Sequence, residues 1–204
     1  MSSFKEELIN RFGEHRVLDI AVQENEIPLI ALDIESRSQV TVISTNGLSD
    51  YKMPVPEKLI GREYNELCFC LPSYWEWEDL ENPNMNWVFT WIQKLAKHVI
   101  EKETWFGPGH TIPSGKDLPT YSKTMLQTHL ILSDPILLEN ELQPVLVDGK
   151  NIHFLTIIPI FSEEMDFKQV KGSFKFFQKL KSKGVDDLLD DYRTTMTKGK
   201  WRIF

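Results

Sequence analysis

Cysteine is almost absent from this chain of 204 residues, which holds only Cys68 and Cys70. Two apart in a strand-like run, they point to one face of an extended strand and are poorly placed to join each other. Buried thiols in a reducing compartment are the expectation, and two sulfurs without a second Cys or His pair nearby fall short of a zinc framework. Long apolar runs are also missing: the longest, around Phe154–Phe161, is too short to span a bilayer. The N-terminus, Met-Ser-Ser-Phe-Lys-Glu-Glu, lacks the apolar stretch of a signal peptide, so a cytoplasmic protein with no membrane contact is expected. No Gly-x-Ser-x-Gly elbow is present. Gly115-Lys116 and Gly149-Lys150 are followed by Asp117 and Asn151 and lack the upstream glycine of a phosphate loop, which excludes nucleotide hydrolysis by that route. There is no internal repeat, no low-complexity segment and no linker long enough to divide two domains.

What is present is the composition of an ordinary globular protein, 41% hydrophobic and 26% charged. A chain of this length should bury roughly 70% of the surface it exposes when unfolded, enough for one large domain over residues 1–204. The net charge of −7 argues against general nucleic-acid binding and favours encounter with a basic partner.

Local patterns give the elements. Ser2 or Ser3 caps a helix over Phe4–Phe12 that Gly13 ends. Strand-like runs follow at Arg16–Gln23, Pro28–Glu35 and Gln39–Ser44, then a turn at Asn46-Gly47 and a buried strand over Tyr64–Leu71 that Pro72 stops. Asn86 opens the strongest helix, which runs to Ile100. Met125–Leu132 reads as a strand, and Leu142–Val147 and Ile152–Ile158 read as a hairpin about Asp148-Gly149. A last helix sets Phe174, Phe177 and Lys181 on one side and ends at Gly184. Strands and helices do not alternate strictly, so the predicted class is α+β: a single domain with a mixed, largely antiparallel β-sheet flanked by helices.

One stretch suits neither helix nor strand: Thr104–Pro113, Thr-Trp-Phe-Gly-Pro-Gly-His-Thr-Ile-Pro. Its aromatic residues exceed what a solvated loop needs, so it is expected to be pinned down. It either completes the core or forms a rigid shelf presenting His110 and Thr111 to a ligand. The five histidines, His15, His98, His110, His129 and His153, are scattered and form no His-x-x-x-His pair, so no metal and no cofactor is expected. Glu163, Glu164 and Asp166 suit a helix start, where negative charge complements the dipole. The acidic group Asp186, Asp187, Asp190 and Asp191 reads as solvated, balanced in sequence by the lysines from Lys168 to Lys183. No catalytic set assembles from these residues.

Four motifs then occur in order: Val42-Ile-Ser-Thr-Asn-Gly-Leu-Ser-Asp50, Glu66-Leu-Cys-Phe-Cys-Leu-Pro72 with Trp75, Gly109-His-Thr-Ile-Pro113, and His153-Phe-Leu…Pro159 with Glu163-Glu-Met-Asp-Phe167. Together they resemble the suppressor of fused domain over roughly 40–192, leaving the first helix and strands and the tail from Thr194 outside. The resemblance implies an α+β domain that holds another protein and is not an enzyme. Animal members add a second domain and clamp a transcription-factor peptide between the two. This chain resembles only their N-terminal half, so Hedgehog regulation is not carried over. Freestanding copies are similar to bacterial immunity proteins, which implies a protein partner, a toxin domain encoded nearby. Two alternatives stand beside it: a peptide-binding regulator, and a hydrolase or metal enzyme. Ser133-Asp134-Pro135 matches the segment that carries a peptide-contacting aspartate in the animal family, making Asp134 a candidate contact beside Trp105, His110, Thr111 and His153; as a plain turn before Pro135 it needs no partner. Trp105 and Ile112 are expected to face inward, and an exposed sheet edge beside the shelf would let a partner add a strand. Whether Thr194–Phe204, with Trp201 and Phe204, docks on the domain stays open.

Overall fold

Ser3 opens helix α1 (Phe4–Phe12) through a reciprocal cap, its hydroxyl accepting from the Glu6 amide while the Glu6 carboxylate accepts from the Ser3 amide. The computed structural model describes residues 2–35, 39–79, 81–82, 84–115 and 120–197. Trp201 and Phe204 lie outside the described residues. After α1 come strands β1 (Val17–Ile20), β2 (Leu29–Glu35), β3 (Gln39–Thr45) and β4 (Tyr64–Pro72), then helix α2 (Trp87–Glu101). Strands β5 (Thr111–Pro113), β6 (His129–Ser133), β7 (Val145–Val147) and β8 (Lys150–Ile160) follow, and helix α3 (Ser162–Ser182) is the last element among the described residues.

The strands form one mixed sheet in the order β1-β2-β3-β4-β8-β6-β5. Each neighbouring pair on this path is antiparallel except β4 and β8, which run parallel with Tyr64 opposite Ile152 and Cys68 opposite Thr156. The long strand β8 has two partners along its other edge, β7 at Lys150–Ile152 and β6 at Thr156–Ile160.

Alternation along the strands sends side chains to two cores. Leu29, Ala31, Leu67, Phe69 and Leu132 pack against α2, where Trp87, Val88, Trp91, Ile92 and Leu95 lie on the buried stripe. Ile30, Leu32, Val42, Cys68, Cys70 and Phe154 face the other way, against Phe4 and Leu8 of α1. Ile131, Ile158 and Ile160 share that side and meet Phe176 and Leu180 of α3. Both cysteines are free and buried, and the apolar setting pushes their thiols well up. Among the described residues no helix is long and apolar enough to cross a membrane.

Four sequence expectations change. The strand expected from Met125 begins only at His129, because the preceding segment spends its polar groups elsewhere: the buried Gln127 side chain accepts from the Leu126 amide and donates to the Asp190 carbonyl. Thr111–Pro113, expected to be irregular, is an edge strand in register with His129–Ile131. Phe174, expected beside Phe177 and Lys181, is exposed, and Phe176 and Leu180 turn inward instead. Gly172 explains this, since its φ of 80° and ψ of 162° break the helix and reset its phase. The acidic group after α3 is not simply solvated. Buried Asp187 accepts from the Ile136 and Leu137 amides, and buried Asp191 accepts from the Tyr74 hydroxyl.

Candidate functional site

Three of the four sequence motifs meet in two polar nodes inside the fold. Glu66, fully buried on β4, accepts from the Thr45 hydroxyl, the Gly47, Leu48 and Ser49 amides, and the Ser49 hydroxyl at 2.7 Å. Its donors are the Thr-Asn-Gly-Leu-Ser turn of the first motif, and Glu66 begins the second. Burial pushes the Glu66 carboxyl up while these bonds pull it back.

In the fourth motif, buried Glu164 caps α3 by accepting from the Phe161 amide. It also takes a two-pronged bond from Arg193 at 2.7 and 2.6 Å, and the Met196 amide donates to it. Arg193 donates to the Pro159 carbonyl at 2.7 Å and lies over the Phe161 ring. Both nodes anchor structure: one fixes the turn after β3, the other straps the chain beyond α3 to the end of β8.

The remaining motif builds a surface. Thr104 continues from α2 through its amide, which donates to the Val99 carbonyl. Phe106 is buried against the core and His98 stacks on it, while Trp105 and Ile112 are half-buried against the same core. Gly109 donates to the Leu132 carbonyl at 2.7 Å, and the His110 carbonyl accepts from the Leu132 amide at 2.9 Å, so main chain pins the shelf to β6. The His110 ring rests on Trp105, with centroids 4.2 Å apart. Burial, helped by Lys168 and Lys58, lowers the His110 pKa.

Residues 57–63 are the common neighbour of the other candidates. Leu59 packs where a side chain on Gly107 would go, 3.4 Å from that position. Gly61 offers its carbonyl to His153 Nε2 at 3.2 Å. Arg62 makes a two-pronged ion pair with Asp134, one arm at 3.2 Å and the other shorter. Asn65 steadies the loop by donating to the Arg62 carbonyl at 2.9 Å. The Nε of Arg62 is buried without an acceptor among the described residues. Burial first, and then the Arg62 charge, lower the His153 pKa.

Asp134 and His153 are therefore brought together at Gly61 and Arg62, while Trp105 and His110 meet in a tilted ring contact on the shelf whose Gly107 faces Leu59 of the same segment. Thr111 is half-buried in β5, paired with Ile131, and lines a cleft with Trp91, His98 and Phe106. The residues that sequence reasoning missed are Leu59, Gly61 and Arg62; a single arginine in an aperiodic loop gives no signal, and neither does exposed Ile60, since lone apolar side chains on a surface are ordinary. Among the described residues no group of three His, Cys, Asp or Glu side chains could hold a metal ion. This largely apolar cleft is lined by Trp91, Lys94, Leu95, His98, Phe106, Thr111, Ile112 and Pro113, with one histidine, one lysine and no carboxylate.

The model of the suppressor of fused protein family matches residues 23–194. Among solved structures, the chain is similar to Drosophila Suppressor of Fused, with a TM-score of 0.67 and 16% identity over 95% of this chain and 50% of that one. It is also similar to a chain of the Sufu–Fu complex, with a TM-score of 0.66 and 16% identity over 94% and 89% of the two chains. A putative suppressor of fused homologue from Neisseria gonorrhoeae aligns over 97% and 98% of the two chains, with a TM-score of 0.62 and 15% identity. No curated protein matches.

Proposed function

The chain belongs to the suppressor of fused family, and from that premise we propose that it is a non-enzymatic protein-binding module whose contact surface is the loop and shelf around Asp134. The observation that carries this reading is the Arg62–Asp134 pair. It ties a half-exposed carboxylate to the segment that carries exposed Ile60, just past the end of β6 where Leu132 pins the Trp105–His110 shelf. A charge fixed in advance next to apolar surface loses little conformational freedom when a partner arrives. That a relative has been crystallised as a Sufu–Fu complex supports protein binding as the use of the fold.

The partner we propose is a toxin domain, with this chain as its immunity protein, neutralising it by direct contact. Side chains, rather than main chain, make the contact. The edge strand β5 is only three residues long, Pro113 has no amide to donate, and the Ile112 carbonyl already accepts from the Tyr121 hydroxyl. Strand addition there has little to pair with.

The test is capture of partners by the tagged full chain from its native lysate, with Asp134→Lys as the comparison. A dominant toxin-like partner, reduced at least about tenfold by the substitution, is expected. If a short linear segment of the captured protein binds by itself as tightly as the whole, the peptide-regulator reading replaces immunity. A partner-free protein overturns both.

A further inference from the structure

We infer that the partner presents an acidic surface with an apolar centre to α3, extending the contact beyond the shelf; this rests on the protein-binding reading above. Between Lys168 and Lys183 the sequence has six lysines and no acidic residue, so this stretch carries +6 while the remainder of the chain falls from −7 to −13. Lys171, Lys175, Lys181 and Lys183 are exposed. None of the six takes part in an ion pair among the described residues, and Lys179 lies over the Phe167 ring. Val170 and Phe174, on either side of Gly172, are 76% and 75% exposed although α3 buries Phe176 and Leu180 beneath them.

This face is continuous with the shelf. Ser173 lies against Gly109, and Lys168 is close enough to help lower the His110 pKa. Unneutralised lysines around an exposed aromatic side chain fit carboxylates around an apolar pocket, the aromatic acting as anchor and the charges as rim. An anionic lipid surface shares the charge but fits less well, because the main apolar stripe of α3 is spent on the core and only Val170 and Phe174 are left to insert.

The experiment is capture by the tagged full chain from nuclease-treated native lysate, followed by carbodiimide coupling, which joins a lysine amine to a carboxylate only where the two touch. Mass spectrometry is expected to find Lys171 or Lys175 joined to Asp or Glu of the captured partner. The Lys171→Glu/Lys175→Glu variant should reduce capture at least about tenfold, a gap that narrows as salt rises towards about 0.5 M. Phe174→Ala should reduce capture without that salt dependence. A partner that is lost with Asp134→Lys, yet is neither coupled to α3 nor affected by the lysine substitutions, overturns this inference and leaves the protein-binding reading intact. Sedimentation of the chain with phosphatidylcholine vesicles containing about 30% phosphatidylserine, with no protein captured, overturns it in favour of a lipid surface. Absence of any partner overturns both readings.

Discussion

Gly109 and Ser173 approach so closely that a methyl group does not fit between the shelf and α3: a Cβ on Gly109 would lie 2.7 Å from Ser173 Oγ and 3.2 Å from its Cβ. Gly109 also has a φ of 88°, a conformation that other residues adopt at a cost. Gly109→Ala is therefore expected to destabilise the fold by about 2–4 kcal/mol, combining backbone strain with overpacking. Ser173→Ala in the same chain should recover part of this and leave the strain. A double-mutant cycle by urea denaturation measures the coupling, and no coupling would mean that the two elements move apart freely.

Glu66 is expected to be among the most sensitive positions in the chain. Glu66→Ala leaves its hydroxyl and amide donors buried without an acceptor and should cost on the order of 3–5 kcal/mol. Glu66→Gln keeps the shape but turns an NH2 towards donors, so it should cost less than Ala. Because burial raises the folded pKa, the contribution of Glu66 is fully present below the ordinary glutamate range and is lost as pH rises through the folded value. Stability measured across that window should slope downward for the wild-type chain relative to Glu66→Gln.

Removing the guanidinium that neutralises Glu164 tests the strap. Arg193→Ala strands a buried carboxylate and is expected to cost about 3–5 kcal/mol, whereas Glu164→Gln/Arg193→Met removes both charges and should cost clearly less. Limited proteolysis should cut the segment after α3 faster in Arg193→Ala. Equal resistance would show that Met196 and its neighbours hold that segment without the ion pair.

His153 gives the opposite pH dependence to Glu66. Its pKa is lowered, so the unfolded chain binds a proton more readily than the folded one. The stability it contributes is present above the ordinary histidine value of about 6.5 and is lost as pH falls below that towards the folded value. His153→Gln should flatten this part of the profile in denaturant titrations. An unchanged profile would assign the slope to His110 and His129, whose pKa values burial also lowers.

Much of the scaffold was legible because its signals are local. The Ser3 cap and Gly13 bound α1, strand-like composition marked β2, β3 and the buried β4, and Asp148-Gly149 fixed the β7–β8 hairpin. What could not be read depends on residues far apart. Nothing near Glu164 announces Arg193, 29 residues on, and nothing near Asp134 announces Arg62, 72 residues earlier. Gly172 hid the true face of α3, because a helical period cannot be carried through a residue that resets it. Of the candidate site, Asp134 and His153 proved to be neighbours. The His110 ring leans on Trp105 in a tilted contact, and its main chain pins the shelf to β6. Thr111 instead lines the cleft with Trp91, His98 and Phe106.

The parallel pairing of β4 with β8 has a consequence for synthesis. The Cys68 thiol lies 3.7 Å from the Leu155 carbonyl, its acceptor 87 residues later in the chain. At about 5–20 residues per second, a ribosome leaves the inner edge of β4 without its partner for several seconds. That strand is buried on both faces in the folded chain, has an apolar run over residues 67–71 and presents unpaired main-chain groups, the features that invite a nascent chain to aggregate. The β1–β4 meander is thus the part of the nascent chain with most need of a chaperone, and splitting the gene between α2 and β5 should give two insoluble halves rather than two small domains.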